Sequence, residues 1–465
     1  MTAPTTAESA RHSTAHASLA VLGIKLRQLD LFGPIRDEVH VAQKTVRHTP
    51  ADKLYDAFIA LLTGAQGLAE INRRLRADPA LQLAFGRAGC AEQSVVQDTL
   101  DACTSENVAQ MERALDRIYR THGQGYRHDY AQAWQLLDAD VSGLPCGKKA
   151  ALATTGYFAK QRRRRGRQLG RVLASAYHEV VVDRLFAGNT QLRAALPTLV
   201  LAAEGALELD ESRRRRTILR IDAGAGGVAD LNWVLARGYH IVAKDCSTAR
   251  ARRLAESVVT WFDDPRQAGR HVGAVTTPAP EYEVGAGERA VTRVAVRCRQ
   301  ASGDWGVGVV ISTLPVAAAL LLAGQAPALA ADPAAAALAY VYLYDQRSGG
   351  VETAFKGDKQ GLALTKRNKK RFEAQQVLVA LSQLAHNVLI WARRLLAVHA
   401  PRVRDFGIKR LVRDVFGMSG VVERDAANQV RAVVLNRADP LAPHLLAALC
   451  ALAAATAIPI RLGET

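Results

Sequence analysis

The stretch Thr217-Ile218-Leu219-Arg220-Ile221-Asp222-Ala223-Gly224-Ala225-Gly226-Gly227-Val228 decides how the rest of the chain reads. Its first half is a short buried strand, Thr217 to Ala223, carrying Asp222 at its end. The glycines then lead into a helix over Val228 to Arg237. His240 to Lys244 makes the next strand and closes on Asp245. Alternating strands and helices of this kind predict an α/β sheet. Two chemistries fit the glycine turn. Residues 224–229 satisfy G-x-G-x-x-A, with Asp245 about 20 residues on, as in the dinucleotide fingerprint of an NAD(P)-binding Rossmann oxidoreductase. Against that, Asp222 brings negative charge close to a pyrophosphate, and the unit starts deep in the chain. The second reading takes Asp222 as a metal-binding carboxylate, and glycines that let a metal-bound DNA phosphate approach the backbone explain the same residues.

Working outward, Ala133 to Val141 reads as an earlier buried strand with Asp138 and Asp140 two apart at its end, so both emerge on one face. Arg220 shares a face with Asp222 by the same rule. A basic stretch follows the first strand, with Lys148, Lys149, Lys160, Arg162, Arg163, Arg164, Arg165, Arg167 and Arg171. A helix is expected from about Gln168 to Ala187. The Arg213 to Arg216 run, like the Arg162 to Arg165 run, is a candidate DNA contact. Further on, Glu352 follows Gly349 and Gly350 into a helix, with Lys356 at i+4 and Lys359 at i+7 on its side, and with Tyr344 and Arg347 before it. Carboxylates at the ends of adjacent strands, joined by one from a helix, are what two hard divalent cations need.

Composition agrees with a polyanionic partner. The 465 residues carry 61 Lys and Arg against 44 Asp and Glu, a net charge of +17, and the pI is near 9.9. Such a balance suits a protein that neutralises phosphates and releases their counterions. With 49% hydrophobic and 23% charged residues the chain excludes general disorder. The longest apolar runs, Leu445 to Ile460 and Val316 to Ala331, are too short or too broken to span a bilayer. Six scattered cysteines, with no CxxC pair, indicate neither a zinc ribbon nor a disulfide framework. A reducing, cytoplasmic setting follows.

The chain divides into an expected flexible tail (1–19), a helical domain (20–130), an α/β core (131–245 and 339–400), a β-rich insertion (246–338) and a small C-terminal α/β region (401–465). In the helical domain, Thr49 caps a helix that has Pro50 at its first position, and Leu54, Phe58, Leu61 and Leu62 recur at helical spacing. Thr104 or Ser105 caps another, whose apolar stripe is Val108, Met111, Leu115, Ile118 and Tyr119, with Arg113, Arg117 and Arg120 facing water or DNA. The insertion holds a hairpin in which Val294, Val296 and Cys298 alternate with arginines, turn at Gly303-Asp304 and return as Trp305 to Ser312. Trp261 and Trp305 read as packing residues before they read as partners of a flipped base. A long helix from about Arg371 to Val398, with a core His386-Asn387 pair, a hairpin over Val421 to Val434 and a closing helix over Leu441 to Ala455 complete the chain. No internal repeat is present.

The segment Tyr344, Arg347, Glu352, Lys359 resembles the YREK signature of bacterial insertion-sequence transposases of the DDE class, with an Arg-to-Glu interval one residue longer than the commonest form. Asp140-Val141-Ser142 and Asp222-Ala223-Gly224 are similar to the surroundings of that family's first and second aspartates. The resemblance covers roughly residues 45 to 400. It implies an RNase H-like mixed-sheet core with a β-rich insertion, an α-helical N-terminal DNA-binding domain, and a metal triad of Asp140, Asp222 and Glu352 holding two Mg²⁺ or Mn²⁺ ions. The separations, 82 and 130 residues, leave room for the insertion. It further implies cut-and-paste transposition: cleavage at terminal inverted repeats, then strand transfer into target DNA, by a homodimer on DNA in the bacterial nucleoid. DNA-binding candidates are Tyr344, Arg347, Lys356, Lys359, Lys148, Lys149, Arg162 to Arg165 and Arg220. A catalytically inactive DNA-binding regulator is the alternative in which the same surface binds without cutting.

Overall fold

The computed structural model describes residues 10–45, 47–156, 158, 163–284 and 290–464. Its strands are β1 (Ala10–Thr14), β2 (Gln135–Pro145), β3 (Thr154–Thr155), β4 (Arg165–Ala174), β5 (Glu179–Ala187), β6 (Thr217–Ile221), β7 (His240–Lys244), β8 (Phe262–Asp263), β9 (Arg270–Ala274), β10 (Thr292–Arg299), β11 (Trp305–Ser312), β12 (Gly420–Arg424), β13 (Val430–Asn436) and β14 (Ile460–Gly463). The chain folds as two units. The first comprises 1–123, 144–167 and 354–465, and the second 124–143 and 168–353.

The first unit packs helices against a four-stranded sheet ordered β1-β12-β13-β14. Thr49 accepts the Asp52 N–H while Asp52 returns a bond to the Thr49 N–H, and Pro50 opens the Pro50–Leu62 helix. This reciprocal box satisfies two of the donors that a helix start leaves open. Thr104 and Asn107 do the same for Ser105–His122. Leu54, Phe58, Leu61, Leu62 and Met111 are all fully buried, in a core that also takes Val377, Leu381, Leu389, Leu445 and Leu449. The N-terminal helices, the Phe372–His399 helix and the C-terminal region therefore share one interior, rather than lying in the three separate domains expected. Their apolar faces are complementary, and such pairing is invisible to local periodicity. His386 meets Asp358 at 2.7 Å inside this core, the internal partner expected of a core histidine.

The expected tail is also corrected in part. Residues 10–14 form β1, antiparallel to β12, and Thr14 donates to Asp78 at 2.6 Å; residues 1–9 lie outside the described residues. Backbone pairing, not side-chain apolarity, orders Ala-Arg-His-Ser-Thr here. The arginines expected to face DNA on Ser105–His122 are engaged in part, since Arg117 reaches Glu38 at 2.7 Å and Arg113 meets Glu106 at 3.3 Å.

In the second unit the sheet runs β4-β2-β6-β7-β11-β10-β9-β8, with β5 paired to β4. Strands β2, β6 and β7 are parallel neighbours, whereas β7–β11, β11–β10, β10–β9 and β9–β8 are antiparallel. The hairpin placed in a separate insertion thus extends the same sheet, because the free edge of β7 pairs with β11 from Val242↔Ser312 to Lys244↔Val310. The helix expected over Gln168 to Ala187 is instead β4 and β5, joined by a connection short enough to require antiparallel neighbours. Val180, Val181 and Val182 lose little as strand residues and more in a helix. At Gly170 a Cβ would stand 2.8 Å from Phe186 and 2.9 Å from Leu199, so the glycine lets β4 close on its neighbours. The helix of this region lies later, at Leu192–Leu207. No helix among the described residues is long and apolar enough to cross a membrane.

Candidate active site

The site is built at the end of β6 and midway along β2, which runs on to Pro145 rather than ending near Val141 as expected, at the point where the pairing of the two strands stops. Their parallel register pairs Asp138 with Arg220 and ends at Ala139 with Ile221, so Asp140 and Asp222 come just beyond it. Strand alternation places all four side chains on one face. The inner pair is sealed. Arg220 donates Nε to Asp138 Oδ1 at 2.5 Å and Nη2 to Oδ2 at 2.9 Å, and Ser175 Oγ donates to Oδ2 at 2.5 Å. Arg220 Nη1 donates to the Leu343 carbonyl at 2.9 Å. Asp138 is 0% and Arg220 1% exposed. Arg220, expected to bind DNA, is therefore an internal residue: its guanidinium is consumed by Asp138 and a helix carbonyl.

The outer pair is open. Asp140 is half-buried and accepts the Val141 N–H at 2.7 Å. Burial pushes its carboxyl up to about 6, with Arg347 pulling down and Asp222 and Glu352 adding to the rise. Asp222 caps the short Ala223–Ala225 turn, accepting the Gly224 N–H at 2.8 Å. The third acid, Glu352, follows the helix that starts at Pro333, capped by Asp332, and runs to Arg347. A π-helical turn, Ser348–Glu352, follows it directly. Arg347 brings Nη2 to 2.9 Å from Asp140 Oδ2 and Nη1 to 3.3 Å from Glu352 Oε1. Neither Nη2 nor Nε has an aligned hydrogen-bond acceptor among the described residues. Burial works against the Arg347 charge, yet Asp140, Asp222 and their neighbours hold its pKa above the ordinary value. Tyr344 belongs to the same neighbourhood: burial pushes its hydroxyl up to about 12, Arg347 opposes, and Asp222, Glu352 and Asp140 reinforce.

Asp140, Asp222, Glu352, Arg347 and Tyr344 are thus brought together in one unit. No three His, Cys, Asp or Glu side chains among the described residues already form a metal-holding group, and Arg347 stands between two of the acids. Beside them a groove of about 490 Å³ opens, lined by Tyr344, Lys244, Arg252, Cys298, Gly306 and Gly308. Lys244 and Arg252 are exposed cations on its rim. Asp345, next to Tyr344, is tied to Arg270 at 2.5 Å.

The remaining candidates fall partly in the first unit, with the Lys148 to Arg165 stretch and Lys356 and Lys359, and partly in the second, with the Arg213 to Arg216 run. Lys148, Lys149, Arg163, Arg164, Arg165 and Lys356 are exposed, and Lys359 lies over the Phe355 ring at 6.0 Å. Arg162, with Lys160, falls outside the described residues. The Arg213 to Arg216 run does structural duty: Arg214 donates to the Arg237 and Leu209 carbonyls, Arg216 stacks on Trp134 at 4.3 Å, and Arg215 pairs with Glu211. Trp261 and Trp305 are half-buried, with the Arg297 guanidinium over both rings at 4.2 and 4.6 Å. Asp245 of the glycine fingerprint is held by Arg250 at 2.6 and 2.9 Å. At Gly226 a Cβ would fall 1.8 Å from the Lys244 carbonyl, so this glycine serves the packing of the turn on β7.

Sequence reading passed over Ser175 and Gly350. The Gly349-Gly350 doublet is the sequence signal for Gly350; Ser175, in the four-residue connection between β4 and β5, carries none. A Cβ at Gly350 would stand 2.6 Å from Asp138 Oδ2.

No protein-family model and no curated protein matches this chain. Among solved structures, it is similar to a piggyBac transposase in a synaptic complex with hairpin DNA, at 11% identity and a TM-score of 0.45, over 88% of this chain and 82% of that one.

Proposed function

We propose that the protein is a DNA transposase of the DDE class, cutting and rejoining DNA by phosphoryl transfer at Asp140, Asp222 and Glu352. The observation that carries this reading is the register of β2 and β6, which ends at Ala139↔Ile221 and so brings out Asp140 and Asp222 two residues beyond a sealed ion pair, with Arg347 linking Asp140 to Glu352. The sheet order β5-β4-β2-β6-β7 supports an RNase H-like core. The π turn supports the resemblance to the YREK signature. A π turn accommodates one residue more than the α-helical repeat, and it spans the interval from Arg347 to Glu352, which is one residue longer than in the commonest form.

The donor set fits a hard divalent cation. Three carboxylates with surplus negative charge face one guanidinium, and oxygen ligands of this kind suit Mg²⁺ or Mn²⁺. Asp140, Asp222 and Glu352 would hold the two ions, which supply activation of water or a 3′-OH and stabilisation of the leaving oxygen. Arg347, released from the carboxylates, has the fork geometry to grip a phosphate. Tyr344 offers a neutral hydroxyl to a phosphate oxygen. Lys244 and Arg252 would lead the strand along the groove, and Lys148, Lys149, Arg163 to Arg165, Lys356 and Lys359 would neutralise further phosphates. Terminal-repeat binding by the N-terminal helices, a homodimer on two ends and a bacterial nucleoid setting complete the proposal.

The test is incubation of the purified protein with a DNA fragment spanning the boundaries of its own genomic flanks, in Mg²⁺ or EDTA. Metal-dependent cuts at the boundary, lost in Glu352→Gln, support the reading. Binding without cutting in any metal moves the protein to the regulator class.

A further inference from the structure

Resting on that reading, we infer that Asp138, Arg220, Ser175 and Gly350 form a positioning clamp that sets the helix-borne Arg347 and Glu352 against the strand-borne Asp140 and Asp222. The clamp has contacts on every element that carries a site residue. Asp138 precedes Asp140 by two residues on β2, and Arg220 precedes Asp222 by two on β6. Ser175 comes from the turn between β4 and β5 and holds Oδ2 of Asp138. The helix is gripped twice. Arg220 binds the carbonyl of Leu343, immediately before Tyr344, and Gly350, two residues before Glu352, lies directly on Asp138 Oδ2. Arg347 falls between these two points.

The geometry explains a glycine in the π turn. A Cβ at position 350 would stand 2.6 Å from Asp138 Oδ2, 3.5 Å from Ser175 Oγ and 3.8 Å from Arg220 Nη2. Its nearest obstacle is a buried carboxylate fixed by three hydrogen bonds, which cannot swing aside. A methyl group here must lift the π turn, and with it Glu352, away from Asp140 and Asp222. Asp138 and Arg220 touch no substrate in this arrangement; they act through the residues two positions further along their own strands.

The experiment compares wild type with Gly350→Ala, Ser175→Ala and Val234→Ala. Val234 is fully buried on the Val228–Ala236 helix and controls for lost stability alone. Thermal unfolding, binding of the end DNA, cleavage rate and the Mg²⁺ concentration for half-maximal cleavage are measured for each. Gly350→Ala is expected to stay folded and bind DNA, to cleave about 10²-fold more slowly, as a misplacement near 1 Å costs, and to need more Mg²⁺. Ser175→Ala should show the same shift in Mg²⁺ requirement on a smaller scale, and Val234→Ala none. The clamp is overturned if Gly350→Ala and Ser175→Ala cleave with wild-type rate and Mg²⁺ requirement, or lose activity only in step with Val234→Ala at matched stability. Should Gly350→Ala fail to fold, Ser175→Ala decides alone. Wild-type protein that does not cut DNA sinks the transposase reading itself, a result separate from either clamp outcome.

Discussion

Two acid–arginine pairs, whose aspartates sit two residues apart on β2, differ in nearly every physical respect. Asp138–Arg220 is buried, bidentate, and completed by Ser175 and a carbonyl. Asp140–Arg347 is close without being aligned, shares its cation with an exposed Glu352, and leaves Nε without an acceptor among the described residues. A sealed pair holds a fold in place, because breaking it strands a buried charge. An open one holds charge in reserve for a partner. The contrast teaches that residue type and strand parity do not separate structural from functional carboxylates; completeness of the hydrogen bonding does.

The comparison breaks first at the acids. Asp140→Asn, Asp222→Asn and Glu352→Gln are each expected to lower cleavage by about 10³-fold, the upper range for removing one electrostatic stabiliser, with thermal unfolding near wild type. A loss of fold in all three would put them in the sealed class. Next, Arg220→Ala should destabilise the protein by about 3–5 kcal/mol, the cost of leaving one member of a buried pair uncompensated. Urea unfolding reads this directly, and a change below about 1 kcal/mol, the worth of a surface pair, would erase the distinction.

The pH dependence sharpens it. Burial raises the Asp140 carboxyl to about 6, so its charged form, the one able to bind a cation, appears as pH rises through that value. Cleavage should therefore climb between about pH 5 and 7. The stability linkage has the opposite sense: folding favours the proton on Asp140, so this contribution is full below the unfolded pKa and is lost as pH rises through about 6. Arg347→Ala removes the neighbouring cation and should move the activity rise to higher pH; an unchanged or acid-shifted profile would deny the pairing. Smallest is the effect of single surface cations. Lys148→Ala or Arg164→Ala should each reduce the slope of log affinity against log salt by about 0.9 if it contacts one phosphate, measured by fluorescence anisotropy with labelled duplex.

Local signals in the sequence carried much of this. Thr49 before Pro50, Thr104, and the apolar stripes after them specify helices by capping and period alone, and His240 to Lys244 coincides with β7. Parity could place Asp138 with Asp140, and Arg220 with Asp222, on a shared face, but not show that β2 runs on to Pro145. What escaped is non-local. Nothing in Arg220 itself says that Asp138 will consume it, since the pair forms only once β2 and β6 adopt their register. Gln168 to Ala187 has mixed signals, and the sheet, not local propensity, settles it as two strands. The edge of β7 that accepts β11 depends on pairing between Val242 and Ser312, far apart in the chain, and the shared interior of the first and last segments on contacts hundreds of residues apart.

The central claim, that Asp140, Asp222 and Glu352 together form the divalent-metal site, is tested most directly by replacing Mg²⁺ with Fe²⁺ and ascorbate and mapping where hydroxyl radicals cut the polypeptide. The account predicts backbone cuts near residues 140, 222 and 352 together, suppressed by excess Mg²⁺ and absent in Asp222→Asn. Cuts confined to other segments, or none at any of the three, would contradict it.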